Sequence, residues 1–209
     1  MSASGENRPY RSPRRDRAAA DTRTAILSAA MRLFLERGYG RVTVADIASA
    51  ASTAIPTVYA SIGGKSAILA RLVQDAVRDP IVEESLQAIR ASQSPPEVVE
   101  ITAHATRMDN ERYHDLIQVE VSAAAIDETA ASTLQSSDRL YIHTLDKTAR
   151  RLQELHALKE GLTVRRATDI LWFYFGHRSW HLFFERRWSW DDAERWLADQ
   201  ASSALLHPV

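Results

Sequence analysis

Cysteine is missing from the 209-residue sequence, which also contains only seven glycines and seven prolines. A chain without cysteine has no disulfide, no thiolate metal site, no cysteine nucleophile and no thiol redox sensor. It has no apolar run of 18 residues, and its opening residues are polar and rich in arginine. We therefore expect neither a membrane span nor a signal peptide, and the cytoplasm is the default compartment.

The net charge of −1 hides an uneven distribution of charge along the chain. Residues 1–71 contain 11 Lys and Arg against 5 Asp and Glu, whereas residues 72–209 contain 15 against 22. A local excess of positive charge attracts a polyphosphate whatever the distant residues carry. The first third of the chain is therefore expected to contact nucleic acid, and an ordinary solvated basic segment is the alternative.

The beginning of the chain is expected to be flexible. Residues 1–20 combine proline, serine and five arginines, a composition that cannot form a packed core. Apolar residues then recur at helical spacing, with Asp21 or Thr22 able to cap the helix and Gly38 placed to end it. The sequence thus predicts a basic arm over 1–20 followed by a first helix.

The next segment has the form of a helix-turn-helix. Thr43 and Asp46 form a capping-box pattern that begins a short helix, and a break follows around Ser52. Pro56 suits the first turn of another short helix, which ends at a pair of glycines. In a helix-turn-helix the second helix enters the DNA major groove while the first lies across the backbone.

The remainder of the chain is also predicted to be helical. Ser94 and Pro95 begin a helix that is expected to run to about Asn110, and Ser189 begins the last one. Further helical segments are predicted over 111–126, 129–159 and 163–187. With no alternating strand pattern, the expected fold class is all-α, with a helix-turn-helix domain over 21–66 and a helical bundle over 67–209.

A family resemblance is carried by the first of these domains. Its residues are Ala29-Ala30, Leu33-Phe34, Gly38-Tyr39, Thr43-Val44-Ala45-Asp46-Ile47-Ala48, Ala51, Thr57-Val58-Tyr59, Lys65 and Ala67-Ile68-Leu69. In order and spacing this stretch, about 21–72, resembles the DNA-binding region of the tetracycline-repressor (TetR) family. The resemblance implies a dimeric transcriptional regulator, usually a repressor, which releases its operator when a small molecule binds the larger domain.

The candidate DNA contacts follow from the matched residues and the basic arm. Helix termini, hydroxyls and cations contact phosphates, while apolar atoms can touch thymine methyl groups. Tyr59 resembles the family tyrosine whose hydroxyl reaches the DNA backbone, with a core aromatic as the alternative. Lys65 is the strongest single phosphate candidate. The full set is Thr43, Ile55, Pro56, Thr57, Tyr59, Ala60, Ser61, Lys65, Arg14, Arg15, Arg17 and Arg41.

The chain also departs from the family pattern. Ser52 stands where the family usually has glycine in the turn, and Ile55 stands where a basic residue is common. The second helix of the motif contains no Lys or Arg. Without a bidentate arginine-to-guanine contact, direct readout should be weaker or lean towards A·T steps. Affinity is then expected to come more from the arm arginines, Arg41 and Lys65.

Aromatic residues are concentrated near the carboxyl end. All five tryptophans and 10 of the 16 aromatic residues lie between Trp172 and Trp196. Such a segment must be covered on more than one face, and packing against a second copy would cover it. An intrachain core is the alternative. The expected homodimer contacts are Trp172, Trp180, Phe183, Phe184, Trp196 and Leu197.

A cavity for a small-molecule effector is expected in the middle helices, where apolar residues alternate with a few polar ones such as Glu120. The candidate ligand contacts are His104, Met108, Ile117, Val121, Leu140 and Phe175. His177, His181 and Glu185 share a helical face and could coordinate a metal ion. A polar stripe at a subunit contact is the commoner arrangement, so no metal or cofactor is expected.

The sequence thus leaves two classes of function. The first is a ligand-responsive regulator that binds a palindromic double-stranded operator as a homodimer. The second is a helical ligand-binding or protein-interaction module that has lost firm DNA binding, which the uncharged second helix of the motif favours. An enzyme is not expected, because no phosphate loop, nucleophile elbow or zinc-protease helix is present.

Overall fold

The computed structural model describes residues 13–207, which form ten α-helices and no strand. The expected all-α fold class is confirmed. An isolated β-bridge joins Leu158 to Leu206. The chain divides into two compact units, with the boundary after Leu72. Among the described residues, no helix is both long enough and apolar enough to cross a bilayer.

The amino-terminal unit is built from the first helices of the chain. These are α1 (Pro13–Arg37), a 3-10 turn (Tyr39–Arg41), α2 (Val44–Ala50), α3 (Ile55–Ser61) and α4 (Lys65–Ala76), which runs past the unit boundary. Their buried side chains form one core, which includes Ile26, Leu33, Phe34, Tyr39, Ile47, Val58, Ile68 and Leu69. This core fixes the two short helices α2 and α3 against α1.

Helix α1 begins earlier than the sequence predicted. Residues 13–20 are its first turns rather than part of an arm, whereas residues 1–12 lie outside the described part of the chain. Pro13 suits the first turn of a helix, and the run Arg17-Ala18-Ala19-Ala20 consists of strong helix formers. Composition suggested an arm because Arg14 and residues 16–20 are exposed and contribute nothing to the core.

The carboxy-terminal unit contains the longer helices. These are α5 (Ile81–Ala91), α6 (Pro95–Ala124), α7 (Glu128–Glu154), α8 (Val164–Phe175), α9 (His177–Glu185) and α10 (Trp190–Leu205). Helix α6 packs against α5, α7, α9 and α10 and is the central element of this unit. Fully buried Trp180, Phe175, Leu145, Leu152, Leu171, Leu197 and Leu205 belong to the core around it.

Several helix boundaries in this unit correct the sequence analysis. Helix α5 was not predicted, and α6 continues through Asn110 without the expected break. Helix α7 ends at Glu154 rather than 159, where His156 takes a positive φ of 53°. The predicted segment 163–187 is broken at Gly176, whose backbone is extended (φ −69°, ψ 155°). Glycine suits this position because a Cβ there would lie 2.5 Å from the Trp172 carbonyl oxygen.

Candidate nucleic-acid interface and ligand cavities

The start of α2 is fixed by a reciprocal set of hydrogen bonds. The Asp46 N–H donates to the Thr43 hydroxyl oxygen (3.1 Å), while the Thr43 N–H and hydroxyl donate to the Asp46 carboxylate (2.8 and 2.6 Å). This is the capping box that the sequence predicted. These bonds hold the pKa of the Asp46 carboxyl below its usual value, and Arg37, 3.6 Å away, acts in the same direction. The hydroxyl of Thr43 is therefore engaged within the motif.

The turn between α2 and α3 contains one departure from the family pattern. Ser52 stands in the usual glycine position and adopts the left-handed conformation, with a φ of 52°. Its N–H donates to the Ser49 carbonyl (3.1 Å), and the Thr53 N–H donates to the Ala48 carbonyl (2.9 Å). A serine in this conformation costs about 1 kcal/mol relative to glycine, and the turn is kept nevertheless.

Helix α3 turns one face to the interior and the other to the outside of its unit. Val58 is fully buried, while Tyr59 is 56% exposed and Ile55 is 44% exposed. The alternative in which Tyr59 is a core aromatic is therefore ruled out. Other candidate readers are also accessible: Pro56, Thr57 and Ala60 are exposed, and Ser61 is half-buried. The exposed face is thus apolar and hydroxyl-bearing, with no cation of its own.

The candidate phosphate contacts differ in their exposure and in the hydrogen bonds that they already make within the protein. Lys65, at the start of α4, donates from Nζ to the Tyr39 carbonyl (2.9 Å) and lies over the Tyr39 ring, 4.2 Å from its centroid. It therefore stabilises the fold of this unit, whatever else it contacts. Arg41 is exposed, and its Nε donates to the Arg37 carbonyl (2.6 Å). Arg14 and Arg17 are exposed on α1, whereas the Arg15 side chain lies outside the described part of the structure.

Two cavities lie within the carboxy-terminal unit. The first, of about 130 Å³, is lined mainly by apolar residues of α5, α6 and α7, among them Leu86, Ile89 and Leu145. The second, of about 90 Å³, has a more polar wall. Val77, Asp109 and Tyr141 line both cavities. The residues specific to the second cavity include Tyr113, Leu116, Ile117, Glu120, Ser137, Asp138 and His177.

Burial perturbs the titratable groups of these cavities. Burial, assisted by the charge of Asp79, raises the pKa of Asp109 to about 6. Burial also raises the pKa of Glu120, although Ser137 donates a hydrogen bond to its carboxylate (2.7 Å). The pKa of Asp138 is raised by burial, and that of His177, whose Nδ1 lies 3.6 Å from Asp138, is lowered by burial.

The candidate ligand residues are only partly brought together. Ile117 lines the second cavity and Leu140 the first, and Glu120 also faces the second. His104, Met108, Val121 and Phe175 line neither. His104 is exposed and lies 3.2 Å from Glu194, Val121 is exposed, and Phe175 is fully buried in the core.

Sequence reasoning missed Asp109 and Tyr141, the polar residues common to both cavities. A signal was present, because Thr102, Thr106, Asp109, Tyr113, Leu116 and Glu120 recur at spacings of three and four on α6, which places them on one helical face. A carboxylate within such a face, beside apolar residues, indicates a buried acidic group.

The candidate dimer residues fall into two groups. Trp180 and Leu197 are buried within the unit itself, with 0% and 1% exposure, so they offer no surface to a second copy and this expectation is corrected. Phe184 and Trp196 remain 48% and 41% exposed. Partly buried Phe183 packs on Trp196, with ring centroids 5.3 Å apart. Trp172 is half-buried and contacts Tyr141 and His177 within the same unit.

The carboxy-terminal unit has other exposed apolar side chains. Phe173, Leu182 and Trp188 are 70%, 50% and 44% exposed. His181 and Glu185 lie 3.5 Å apart on α9, whereas His177 faces Asp138. Within residues 13–207 there is no group of three or more His, Cys, Asp or Glu side chains that could hold a metal ion.

Comparison with known proteins identifies the amino-terminal unit. Residues 26–72 match the family described as bacterial regulatory proteins, tetR family. The resemblance expected from the sequence is confirmed, because this match covers most of the amino-terminal unit. No curated protein sequence matches the chain.

Solved structures share the fold along most of the chain. SmeT of Stenotrophomonas maltophilia, in a complex with triclosan, is 22% identical with a TM-score of 0.71, covering 89% of this chain and 92% of its own. NalD, the secondary repressor of the MexAB-OprM multidrug efflux pump in Pseudomonas aeruginosa, is 21% identical (TM-score 0.72; 92% and 100% covered). The fatty acid degradation regulator FadR from Bacillus halodurans is 17% identical (TM-score 0.73; 95% and 100% covered). The protein therefore has the fold of a TetR-family transcriptional regulator.

Proposed function

We propose that the protein is a dimeric transcriptional regulator that binds a palindromic operator and is released from it by a small molecule, most simply as a repressor. The observation that carries this proposal is the exposed face of α3, which a capping box and a tight turn hold within a tetR-family domain. A second helix fixed in this way is the element that enters the major groove in helix-turn-helix proteins.

The chemistry of α3 points to a particular form of DNA readout. Ile55 and Ala60 present apolar atoms that suit thymine methyl groups, and Thr57 presents a hydroxyl that can meet a base edge or a phosphate. Because α3 has no cation, most of the electrostatic attraction comes from residues around it, notably Arg41 and the arginines at the start of α1. We therefore expect an operator rich in A·T pairs and a strong dependence of affinity on salt.

A homodimer is supported by the exposed aromatic surface of the carboxy-terminal unit. Phe184, Trp188 and Trp196 leave nearly half of their surface uncovered in the single chain, and obligate interfaces favour such residues. A palindrome also requires two reading helices, held about 34–36 Å apart to meet successive major grooves. Covering the aromatic surface with a second copy would supply that rigid pair.

The two cavities support a ligand-responsive role. Ligand sites are concave and mostly apolar with a few polar groups, and the first cavity with Asp109 and Tyr141 at its edge has this character. The complex of SmeT with triclosan places a small molecule on a protein of the same fold. Release of DNA then requires that the ligand bind the DNA-free state more tightly than the DNA-bound state.

A ligand-binding module without DNA readout is the second candidate. The absence of Lys and Arg from α3 favours it, because the commonest specific base contact is made by these residues. In this alternative the cavities are functional and the helix-turn-helix is only a structural remnant.

A gel-shift titration separates the two candidates. The probe is the DNA that flanks the protein's own gene, at several salt concentrations, with Tyr59→Phe as the test variant. The change removes only a hydroxyl from a side chain that is 56% exposed, so the fold should be kept. Loss of one phosphate contact should weaken binding by about fivefold, which corresponds to about 1 kcal/mol.

The matched control is Tyr174→Phe, the same change at a half-buried position of the carboxy-terminal unit. It should bind DNA as the unaltered protein does. Absence of any shifted band at low salt would contradict the regulator and favour the ligand-binding module. DNA binding by Tyr59→Phe as tight as that of Tyr174→Phe and the unaltered protein would show that the Tyr59 hydroxyl does not contact DNA.

A further inference from the structure

The two cavities of the carboxy-terminal unit meet at one carboxylate. Val77, Asp109 and Tyr141 belong to the walls of both, so the cavities adjoin one another and Asp109 is the carboxylate that a ligand in either of them would face. The first cavity is about 130 Å³ and mainly apolar, which suits a hydrocarbon or aromatic body. The second is about 90 Å³ and acidic, which suits a polar head group.

Asp109 has no hydrogen-bond partner among the described residues, although it is partly buried and its pKa is raised chiefly by burial. The groups that could have neutralised it are engaged elsewhere. Arg112 forms an ion pair with Asp79, and the Tyr113 hydroxyl donates to the same carboxylate (2.9 Å). The Tyr141 hydroxyl donates to the Phe175 carbonyl (2.8 Å) and accepts from Asn110 (3.2 Å).

The carboxylates that line the two cavities are not matched by cations in the described cavity walls, although Arg112, which pairs with Asp79, acts on Asp109 from outside them. Asp109, Glu120 and Asp138 line the cavities, whereas no Lys or Arg is found among the described residues that line them. His177 favours its neutral form because burial lowers its pKa, and exposed Arg178 on the same helix adds to this effect. Such a low-dielectric pocket attracts cations and repels anions.

We propose that this unit binds an apolar organic cation whose charged nitrogen pairs with Asp109 at the junction of the two cavities. The Tyr141 ring, which lines both cavities, offers an aromatic surface to the same charge. The inference rests on the proposed ligand-binding role and adds the chemical class of the ligand. The proposed ligand class excludes carboxylates, because Asp109 would repel an anionic ligand.

Three probes with one apolar body and different head groups test the proposal. They are 4-phenylbutylamine, 4-phenylbutan-1-ol and 4-phenylbutyrate, which are cationic, neutral and anionic at pH 7.5. Isothermal titration calorimetry on the full chain should give the amine an affinity about tenfold or more above that of the alcohol, and the carboxylate the weakest binding. In Asp109→Asn the amine and the alcohol should bind equally, with the affinity of the alcohol unchanged.

The control variant is Asp115→Asn, which removes a charge from an exposed position on the same helix and should leave the order of affinities intact. Unchanged binding of the alcohol by Asp109→Asn also shows that this variant is folded. Equal affinities of amine and alcohol for the unaltered protein would overturn the inference while leaving ligand binding in place. No binding of the amine would also overturn it. The DNA-binding role is tested separately by the gel shift.

Discussion

Trp180→Ala lowers the free energy of unfolding of the carboxy-terminal unit by about 3–5 kcal/mol, the usual range for truncating a fully buried tryptophan. Trp180 is completely buried, and its indole N–H donates to the Phe175 carbonyl (3.0 Å). The truncation therefore leaves a cavity between α8 and α9 and removes one of the two hydrogen bonds that the Phe175 carbonyl accepts, the other coming from the Tyr141 hydroxyl. Urea unfolding followed by circular dichroism, at one fixed protein concentration, measures the loss.

The matched control for this truncation is Phe173→Ala. Phe173 is also aromatic and lies on α8, but it is 70% exposed, so its removal should cost less than about 1 kcal/mol. A Trp180→Ala protein as stable as the control would mean that Trp180 is not a core residue. Trp180 would then again be a candidate contact of the dimer interface, as the sequence analysis expected.

Asp109→Asn is expected to stabilise the protein at neutral pH. The pKa of Asp109 is raised from 3.8 to about 6, mainly by burial, so its charged form is disfavoured in the folded state. A shift of about two pKa units corresponds to up to about 3 kcal/mol, and the neutral amide avoids this cost. Carboxylates with a raised pKa are common in binding sites, which agrees with the ligand contact proposed for Asp109.

The size of this effect depends on pH. Below about pH 3 Asp109 is mostly protonated in both the folded and the unfolded chain, so the variant gains almost nothing there. Between pH 4 and pH 6 the unfolded chain releases the proton first, so the unaltered protein loses stability as pH rises, and the full cost is present above pH 6. Between pH 5 and pH 7.5 the advantage of the variant should therefore grow by about 1.4 kcal/mol.

Urea unfolding at these two pH values measures that advantage, with Asp115→Asn as the control. Asp115 has 69% of its side chain exposed, and its replacement should change stability little at either pH. An Asp109→Asn protein that is less stable than the unaltered one at pH 7.5 would show that the charged carboxylate has a stabilising partner within the chain.

The sequence located helix ends best where local chemistry decides them. The capping box of Thr43 and Asp46, the cap at Ser94 and the cap at Ser189 all lie where they were expected, because each depends on residues within one turn. The start of α1 was misplaced because composition weighed against the strong helix propensity of the alanines before Asp21. The helix break at Gly176 was missed because it depends on the close approach of the Trp172 carbonyl, which the periodicity of apolar residues does not report.

The candidate sites were predictable to different degrees. The exposed face of α3 follows from a local motif, so Thr57 and Tyr59 could be named from the sequence. The cavity wall depends on how α5, α6 and α7 pack together, so Ile117 and Leu140 were named along with residues that lie elsewhere. The aromatic segment contains both core and surface residues, and only packing separates Trp180 from Trp196.

Selection of bound duplexes from a random DNA library, with the full-length protein, tests the central claim most directly. A dimer that reads DNA with two copies of α3 should enrich a palindrome whose half-sites are centred about 10 base pairs apart, or a multiple of one helical turn. The half-sites should be rich in A·T pairs, since α3 offers methyl and hydroxyl contacts and no cation. Recovery of unenriched sequences, or of a single unrepeated half-site, would contradict the account.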